Sequence, residues 1–332
     1  MVRPLRAIVA VLRRFGPALA AFGCTAVAAA PAAERFPDRP IRLIVAFAPG
    51  TGSDSVARAV ATPMGAALGQ TVIVDNRAGA GGTIGTEHGA RAAPDGYTLT
   101  LATTSTLLTH PVLNPNAHYG AAKDFVPVAG VARTAFVLVT ANSVDAPRSL
   151  LELKRRLGRT QSSFGSAGIG TVGHLACENV LREMQVTAVH VPYRGSVQAL
   201  SDVAGGHLLF ACDTVAAALP LIRAGRLRAL AVSSAQRLAA LPEVPTGAQA
   251  GVPAFRLSAW WGIVAPSGTP PAVLALLSDA ALKTLAEPQV QQQLDALQLE
   301  VMPLAAAPFG EMLRAETPIW ADFARRSGVR LE

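Results

Sequence analysis

The sequence has few charged residues and few cysteines. Asp, Glu, Lys and Arg make up 15% of its 332 residues, three residues are cysteine, and 51% are hydrophobic. It contains no long polar or low-complexity tract, so the composition argues against an intrinsically disordered chain. A chain of this length and apolar content can bury one large core or two ordinary ones.

Motifs that signal catalysis or metal binding are also missing. The sequence contains no HExxH, CxxC, GxSxG or EF-hand pattern. Its six histidines are scattered, and only His174 falls in a candidate binding loop. We expect His174 to pack at, or hydrogen-bond to, the start of a helix, with general-base work as the alternative. The sequence therefore predicts no catalytic residue, no metal site and no cofactor.

The positive net charge comes largely from the first 33 residues. The formal net charge is +7, but Arg3, Arg6, Arg13 and Arg14 lie in this segment, which has no Asp or Glu. The rest of the chain carries 25 Lys and Arg against 22 Asp and Glu, a net charge of +3. Because no basic cluster interleaved with aromatic residues remains, we predict no nucleic-acid partner.

Residues 1–33 have the layout of a signal peptide. A basic start, MVRPLRAIVAVLRR, precedes the apolar stretch ALAAFGCTAVAAA, and small residues offer several A-x-A cleavage sites before Glu34. A membrane anchor fits less well, because Arg13, Arg14 and Pro17 interrupt an apolar run that is short for a bilayer. We predict a cleaved signal peptide and export to the periplasm, with lipid anchoring at Cys24 as an alternative.

Loss of Cys24 with the signal peptide would leave Cys177 and Cys212. In an oxidising compartment these two could form a disulfide, or they could be separate buried thiols that act as small hydrophobic residues. Both alternatives stay open, because the sequence does not give the distance between the two residues.

Beyond Phe36, short apolar strands alternate with amphipathic helices. The first predicted strand, IRLIVAFA, is followed by a helix whose Val56, Val60, Met64 and Leu68 fall on one stripe. The next strands are predicted at residues 71–76 and 98–104, and residues 108–127 are predicted as a long loop. This βαβαβ rhythm is typical of a parallel sheet covered by helices.

A second set of the same kind follows FVLVTAN (136–142), which carries the chain outward. Its strands are predicted at residues 162–168, 188–193, 208–213 and 226–234. A Pro-rich crossing (241–255) then leads to a mostly helical tail from Pro270. Two α/β units of about 100 residues each, joined by two crossing segments, form a hinge that can close over a ligand.

Two glycine-rich turns lead from a strand into a helix. The first, FAPGTGSDS (47–55), is not a P-loop because no G-K-[ST] follows it. The exposed N–H groups of the helix start attract an anion, and strand ends of open α/β sheets are where ligands lie. The alternative is an ordinary connecting loop without a ligand.

The second turn, SAGIGTVGHL (166–175), contains a match to GxGxxG. A dinucleotide site also needs an acidic residue about 20 positions further on, to hold the ribose. The chain has Tyr193 and Arg194 there and no carboxylate. The pattern is therefore better explained as a second anion-attracting helix start than as a cofactor fingerprint.

Three other groups accompany these turns. Asp213, at a strand end, is either a helix cap or an acceptor for a ligand amine or hydroxyl. It is not expected to face a ligand carboxylate, because the two negative charges would repel each other. The hydroxyls of Thr103–Thr106 either bind the ligand or cap their own loop. We expect Trp260 and Trp261 to serve core or hinge packing.

Several long stretches, in the same order, resemble one family. They include FPDRPIRLIVAFAPGTGSD, VIVDNRAGAGGTIGTEHGARAAPDGYTL, SAGIGTVGHL, VPYRGSVQALSDVAGGHL and WWGIVAPSGTP. Together they resemble the Bug (TctC-like) proteins, the extracytoplasmic solute-binding components of tripartite tricarboxylate transporters. The resemblance runs from about Phe36 to the C-terminus.

The resemblance implies a type II periplasmic-binding-protein fold of α/β class, with the ligand cleft between two lobes. Lobe one would comprise residues 34–138 and 257–332, and lobe two residues 139–256. We then expect a monomer that captures a small carboxylated solute (a di- or tricarboxylate, an acidic amino acid or an aromatic acid) and delivers it to membrane permease subunits. A sensory co-receptor that presents the ligand and an exported α/β enzyme remain alternatives.

The resemblance also assigns ligand contacts to the two turns and their neighbours. The predicted ligand-binding residues are Phe47, Ala48, Pro49, Gly50, Thr51, Gly52, Ser53, Asp54, Thr104, Ser105, Ser166, Ala167, Gly168, Gly170, Thr171, His174 and Asp213. Where the family commonly reads APGGGTD, this chain has Thr51 in place of the middle glycine. The added methyl and hydroxyl groups narrow the pocket or donate to the ligand, so the usual dicarboxylate is not assumed.

Overall fold

The computed structural model describes residues 36–114 and 117–329. The predicted signal peptide and Cys24 lie outside the described residues. No helix in the described ranges is both long and apolar enough to cross a membrane.

The described chain forms a ten-stranded mixed sheet in the order β2-β1-β3-β9-β4-β7-β5-β6, with β8 and β10 also paired to β4. The strands are β1 (Ile41–Val45), β2 (Val72–Asn76), β3 (Thr98–Thr103), β4 (Phe125–Ala141), β5 (Ser163–Ser166), β6 (Val189–Pro192), β7 (Phe210–Thr214), β8 (Leu227–Val232), β9 (Ser258–Pro266) and β10 (Glu300–Val301).

Helices connect and cover these strands. They are α1 (Gly52–Leu68), α2 (Thr83–Ala90), α3 (His110–Leu113), α4 (Ala121–Asp124), α5 (Leu150–Leu157), α6 (Val172–Met184), α7 (Ser196–Ala204), α8 (Val215–Arg223), α9 (Pro271–Ala286), α10 (Pro288–Ala296) and α11 (Ala306–Ser327). A 3-10 turn (Ala80–Gly82) precedes α2, and a π-helical turn (Ser105–Thr109) precedes α3.

The expected α/β class is confirmed, and parallel pairing occurs at both ends of the sheet. Strand β1 pairs in parallel with β2 and β3, and β5 pairs in parallel with β6 and β7. Between these groups, β4 and β9 pair antiparallel with each other. The sheet is therefore mixed rather than parallel throughout.

Strand β4 is longer than predicted and holds the two parts of the sheet together. It pairs with β9 through residues 125–135, and with β7 and β8 through residues 136–141. The predicted loop over residues 108–127 is wrong in part, since this segment includes α3, α4 and the first residues of β4. Pro127 argues against a strand in the sequence, because proline cannot donate a hydrogen bond to a neighbouring strand. In the structure, this proline lies where the register shifts between Pro127 and Ala129.

The predicted apolar stripe of α1 lies in the core. Val56, Val60 and Met64 are buried, and Leu68 packs partly buried against the same cluster. Full burial of a side chain of this size contributes about 1.5–3 kcal/mol. This burial fixes the helix axis, and with it the position of the helix start at the end of β1.

Cys177 on α6 and Cys212 on β7 are both buried free thiols. Burial raises the pKa of the Cys177 thiol. Of the two alternatives left open by the sequence, the structure has the unpaired one.

Candidate functional site

A cavity lies where the carboxyl ends of the parallel strands meet. The cavity has a volume of about 60 Å³. Its walls come from the segments after β1, β3, β5, β6 and β7, from the inner part of β4 and from the first residues of β9. A cavity of this size favours a small solute over a dinucleotide.

Eight of the predicted residues line the cavity: Phe47, Thr51, Gly52, Ser53, Ser105, Ala167, Thr171 and Asp213. The other nine lie in the same loops but are not among its lining residues: Ala48, Pro49, Gly50, Asp54, Thr104, Ser166, Gly168, Gly170 and His174. The predicted residues therefore lie in the loops around this cavity, some at its surface and some behind it, and their contact with a ligand stays a prediction.

The first loop presents the start of α1 to the cavity. Thr51 caps this helix: its Oγ1 accepts from the Asp54 N–H at 3.4 Å and donates to the Ala48 carbonyl at 2.8 Å. Within the described part of the chain, no acceptor meets the N–H groups of Gly52 and Ser53. These two donors, and the positive end of the helix dipole, are therefore available to an anion.

Asp54 supports this loop from outside the cavity. Its Oδ2 accepts from the Gly50 N–H at 3.0 Å and from Arg58 Nε at 3.0 Å. Burial alone would raise the pKa of Asp54, but the hydrogen bonds from Arg58 and Gly50 outweigh it and lower the pKa. Asn76 adds a 3.0 Å hydrogen bond from Nδ2 to the Phe47 carbonyl. Asp54 therefore shapes the loop rather than facing a ligand.

The second loop presents the start of α6 in the same way. Thr171 caps the helix by accepting from the His174 N–H at 3.4 Å, and the Val172 N–H donates to Ser105 Oγ at 3.1 Å. No acceptor among the described residues meets the N–H of Gly173. Two helix starts thus offer amides to one cavity.

His174 lies behind this second loop and is only 3% exposed. Its Nδ1 accepts from the Gly170 N–H at 3.1 Å, which is the helix-start hydrogen bonding expected from the sequence. Its ring stacks on His190 with centroids 3.6 Å apart. Burial, together with the neighbouring His174, lowers the pKa of His190 to about 3. Ser166 completes the support, with its Oγ 2.8 Å from His190 Nε2.

Direct hydrogen bonds connect the segment after β3 to the second loop. Thr109 Oγ1 donates to the Gly170 carbonyl at 2.8 Å, in addition to the bond between Ser105 and Val172. Thr104 points elsewhere, because its Oγ1 accepts from the Trp260 N–H at 3.0 Å. The loops from the two parts of the sheet therefore enclose the cavity in contact with each other.

Asp213 is the acidic residue among the lining side chains. It is 4% exposed, and burial raises its pKa to about 6. Its Oδ1 accepts from the Thr214 N–H at 2.7 Å and from Ser196 Oγ at 2.9 Å. No Lys, Arg or His side chain is among the residues that line the cavity in the described chain. The groups that this part of the structure offers to an anion are therefore backbone N–H groups and hydroxyls.

Four aromatic side chains contribute the apolar part of the wall: Phe47, Phe136, Trp260 and Trp261. Trp261 Nε1 donates to Ser53 Oγ at 2.8 Å, and Trp260 Nε1 donates to Glu316 Oε2 at 2.9 Å. Because both indole N–H groups have partners, the rings are held in fixed positions.

The sequence analysis assigned no ligand contact to eight of the lining residues: Phe136, Val172, Gly173, Ser196, Thr214, Ala259, Trp260 and Trp261. A ninth, Thr103, belongs to the hydroxyl-rich segment for which ligand binding was one of two alternatives. A signal was also present for Val172 and Gly173, which belong to the GxGxxG match. The two tryptophans were expected to serve core or hinge packing.

The described residues contain no group of three or more His, Cys, Asp or Glu side chains that could hold a metal.

A mixed α/β sheet with a cavity lined by helix-start amides at its strand ends is an architecture shared with solved periplasmic binding proteins. Residues 56–319 match the family described as the tripartite tricarboxylate transporter family receptor, TctC.

Individual proteins agree with this match. Protein BugT of Bordetella pertussis is 37% identical over 320 residues, which cover 94% of this chain and 96% of BugT. The structure of the periplasmic binding protein BugD superposes with a TM-score of 0.85 at 32% identity, covering 90% of this chain and 100% of BugD. The chain belongs to the TctC (Bug) family and is a solute-binding receptor of the periplasmic, transporter-associated kind.

Two further structures of similar proteins hold ligands. MatC of Rhodopseudomonas palustris, with bound malate, has a TM-score of 0.83 and 32% identity, covering 87% of this chain and 100% of MatC. Rpa4515 of R. palustris, with adipate, has a TM-score of 0.84 and 30% identity, covering 89% of this chain and 99% of Rpa4515.

Proposed function

We propose that this receptor captures a small carboxylate-bearing solute in the cavity between the α1 and α6 helix starts. The observation that carries the proposal is the set of unpartnered N–H groups of Gly52, Ser53 and Gly173 around one small cavity. Malate and adipate in two similar proteins are carboxylates and support the same class of solute.

No Arg or Lys lines the cavity among the described residues, so a carboxylate would be held there by backbone N–H groups. Backbone N–H groups at a helix start donate charge-assisted hydrogen bonds to a carboxylate, and the helix dipole adds a favourable field. Because the amides are already fixed by the Thr51 and Thr171 caps, little conformational entropy is lost when they bind. Two such starts hold a small anion without a buried ion pair.

For the lobes we propose the division expected from the sequence: residues 34–138 with 257–332, and residues 139–256. Strand β4 and the crossing between β8 and β9 would be the two connections, and bending there would open the cavity. The hydrogen bonds of Thr109 and Ser105 to the second loop would then be broken on opening. The described conformation corresponds in this proposal to the closed state.

Outside the site, we propose export by cleavage of the signal peptide over residues 1–33, and delivery of the solute to the permease subunits of a tripartite tricarboxylate transporter. We also propose that the solute is released chemically unchanged. A sensory co-receptor would use the same cavity and differ only in its membrane partner, so pull-down with membrane components distinguishes the two.

Native mass spectrometry of the freshly purified mature protein tests the proposal. We expect a co-purified acid, and a thermal shift when members of a broad carboxylate panel are added. A ligand at 100 times its Kd stabilises the protein by about 2.7 kcal/mol. Absence of both a bound acid and a shift with every acid would contradict carboxylate capture, and recovery of a converted ligand after long incubation would contradict a purely binding role.

A further inference from the structure

The hydrogen bonds of Asp213 leave one of its oxygens unused. The three bonds that Asp213 accepts, from Ser196 Oγ, the Thr214 N–H and Thr214 Oγ1, all end on Oδ1. In the described part of the chain, Oδ2 has no partner, although the residue is 4% exposed and lines the cavity. Because Oδ2 is not closed off by the protein, it can accept a hydrogen bond from a molecule in the cavity that Asp213 lines.

Asp213 lies close to the amides that would hold the ligand carboxylate. A Cβ placed on Gly52 would lie 3.7 Å from Thr214 Oγ1, and one placed on Gly173 would lie 2.4 Å from the Cys212 carbonyl. The two residues that flank Asp213 therefore approach the α1 and α6 starts. A small acid bound to these amides brings its neighbouring substituents within reach of Asp213.

We infer that the preferred solute is a carboxylic acid with a hydrogen-bond donor, a hydroxyl or an ammonium group, beside its carboxylate, and that Asp213 Oδ2 accepts from this donor. The inference rests on the proposed function and narrows its solute class. A plain dicarboxylate would leave Oδ2 unpartnered or place a second negative charge against it, and no cation is present among the described lining residues to compensate.

Pairs of acids with matched shapes separate the effect of the donor on affinity from the effect of ligand size. Malate, 2-hydroxyglutarate, citrate and mandelate carry the hydroxyl; methylsuccinate, 2-methylglutarate, tricarballylate and 2-phenylpropionate replace or omit it. Aspartate and glutamate test the ammonium group. The affinities are measured by calorimetry at pH 8, where Asp213 is ionised because its pKa is about 6. We expect the best-bound donor-bearing acid to bind about tenfold or more tightly than its counterpart.

The Asp213→Asn variant tests the residue itself. An amide keeps an oxygen for Ser196 and the Thr214 N–H but turns a donor towards the cavity, so we expect the preference to shrink to threefold or less, or to reverse. The control is Asp279→Asn, an exposed residue of α9, which should leave the preference unchanged. If Asp213→Asn does not fold, as judged by circular dichroism, the affinities of the wild-type protein for the matched acids still test the inference.

The outcomes distinguish this inference from the proposed function. Binding of acids with no preference for a donor, or a preference that Asp213→Asn leaves intact, overturns the inference while carboxylate capture stands. Failure of every acid to bind the wild type overturns both.

Discussion

Trp261 Nε1 donates a 2.8 Å hydrogen bond to Ser53 Oγ, which connects β9 to the first turn of α1 across 208 residues of sequence. Both residues line the cavity. The same helix start therefore offers its amides to a ligand and fixes the orientation of the indole ring beside them. A residue that looks like core packing in the sequence is part of the wall of the site.

This arrangement predicts that binding changes tryptophan fluorescence. The chain has three tryptophans; Trp260 and Trp261 line the cavity, whereas Trp320 packs against Phe323 away from it. A ligand that displaces water from the two cavity indoles should alter their emission. We expect Trp320→Phe to keep the full ligand-dependent change in a titration, and Trp261→Phe to lose the part that Trp261 contributes beside Trp260. A full response in Trp261→Phe would mean that the ligand does not reach Trp261.

A carboxylate introduced at Gly52 should block the site without harming the fold. An added Cβ there meets nothing closer than 3.7 Å, and an acidic residue in the first turn of a helix is favoured by the dipole. Two like charges about 4 Å apart repel by roughly 4 kcal/mol at an effective dielectric constant of about 20. We therefore expect Gly52→Asp to weaken acid binding at least about a hundredfold, measured by calorimetry.

The neutral isostere Gly52→Asn is the matched control for this variant. It fills nearly the same volume, so it should weaken binding far less than Gly52→Asp, and both variants should unfold at or above the wild-type temperature. Equal losses in the two variants would point to steric blockage and would contradict an anion site at the α1 start.

Thr51 should contribute to stability as the cap of α1. Thr51→Ala removes both the acceptor for the Asp54 N–H and the donor to the Ala48 carbonyl. Loss of such a cap costs about 1 kcal/mol in the free energy of unfolding. Thr51→Ser, which retains the hydroxyl, should stay close to wild type in urea denaturation. A Thr51→Ala variant as stable as wild type would show that the cap is replaced, for example by water.

The parts of the site that the sequence predicted are local ones. In both turns a threonine precedes the helix and caps it, and the glycines that precede these caps adopt positive φ, 80° at Gly50 and 74° at Gly170. Such capping and backbone requirements are set by residues only three or four positions apart, so a sequence displays them. For the same reason the stripe of α1 could be predicted.

The parts that were missed depend on contacts distant in sequence. Phe136 reaches the cavity because β4 continues from one part of the sheet into the other, and Trp261 reaches it through strand order. Ser196 becomes a site residue only because β7 places Asp213 beside the start of α7. No periodicity or motif records these pairings. The sequence also could not separate Asp54, which supports its loop, from Thr51, which faces the cavity.

The buried titrating groups predict how stability depends on pH. Burial and the nearby His174 lower the pKa of His110 to about 4, and His190 is lowered to about 3, from an ordinary value of 6.5. Between about pH 4 and 6.5, both histidines are therefore protonated in the unfolded chain but neutral in the folded chain. Because the unfolded state binds more protons, these histidines make the protein less stable as the pH falls through this window.

Asp213 acts in the opposite direction. Burial raises its pKa from 3.8 to about 6, so the folded chain holds a proton near pH 5 that the unfolded chain has lost. Asp213 therefore lowers stability as the pH rises, and partly offsets the histidines. Asp213→Asn removes this offset. Between pH 4.5 and 5.5, its free energy of unfolding should rise with pH more steeply than that of wild type by about 1 kcal/mol per pH unit. Urea titrations at several pH values measure this difference, with Asp279→Asn as control. Parallel curves for Asp213→Asn and wild type would mean that Asp213 is ionised throughout the window, and therefore that it lies in a more polar environment than its burial indicates.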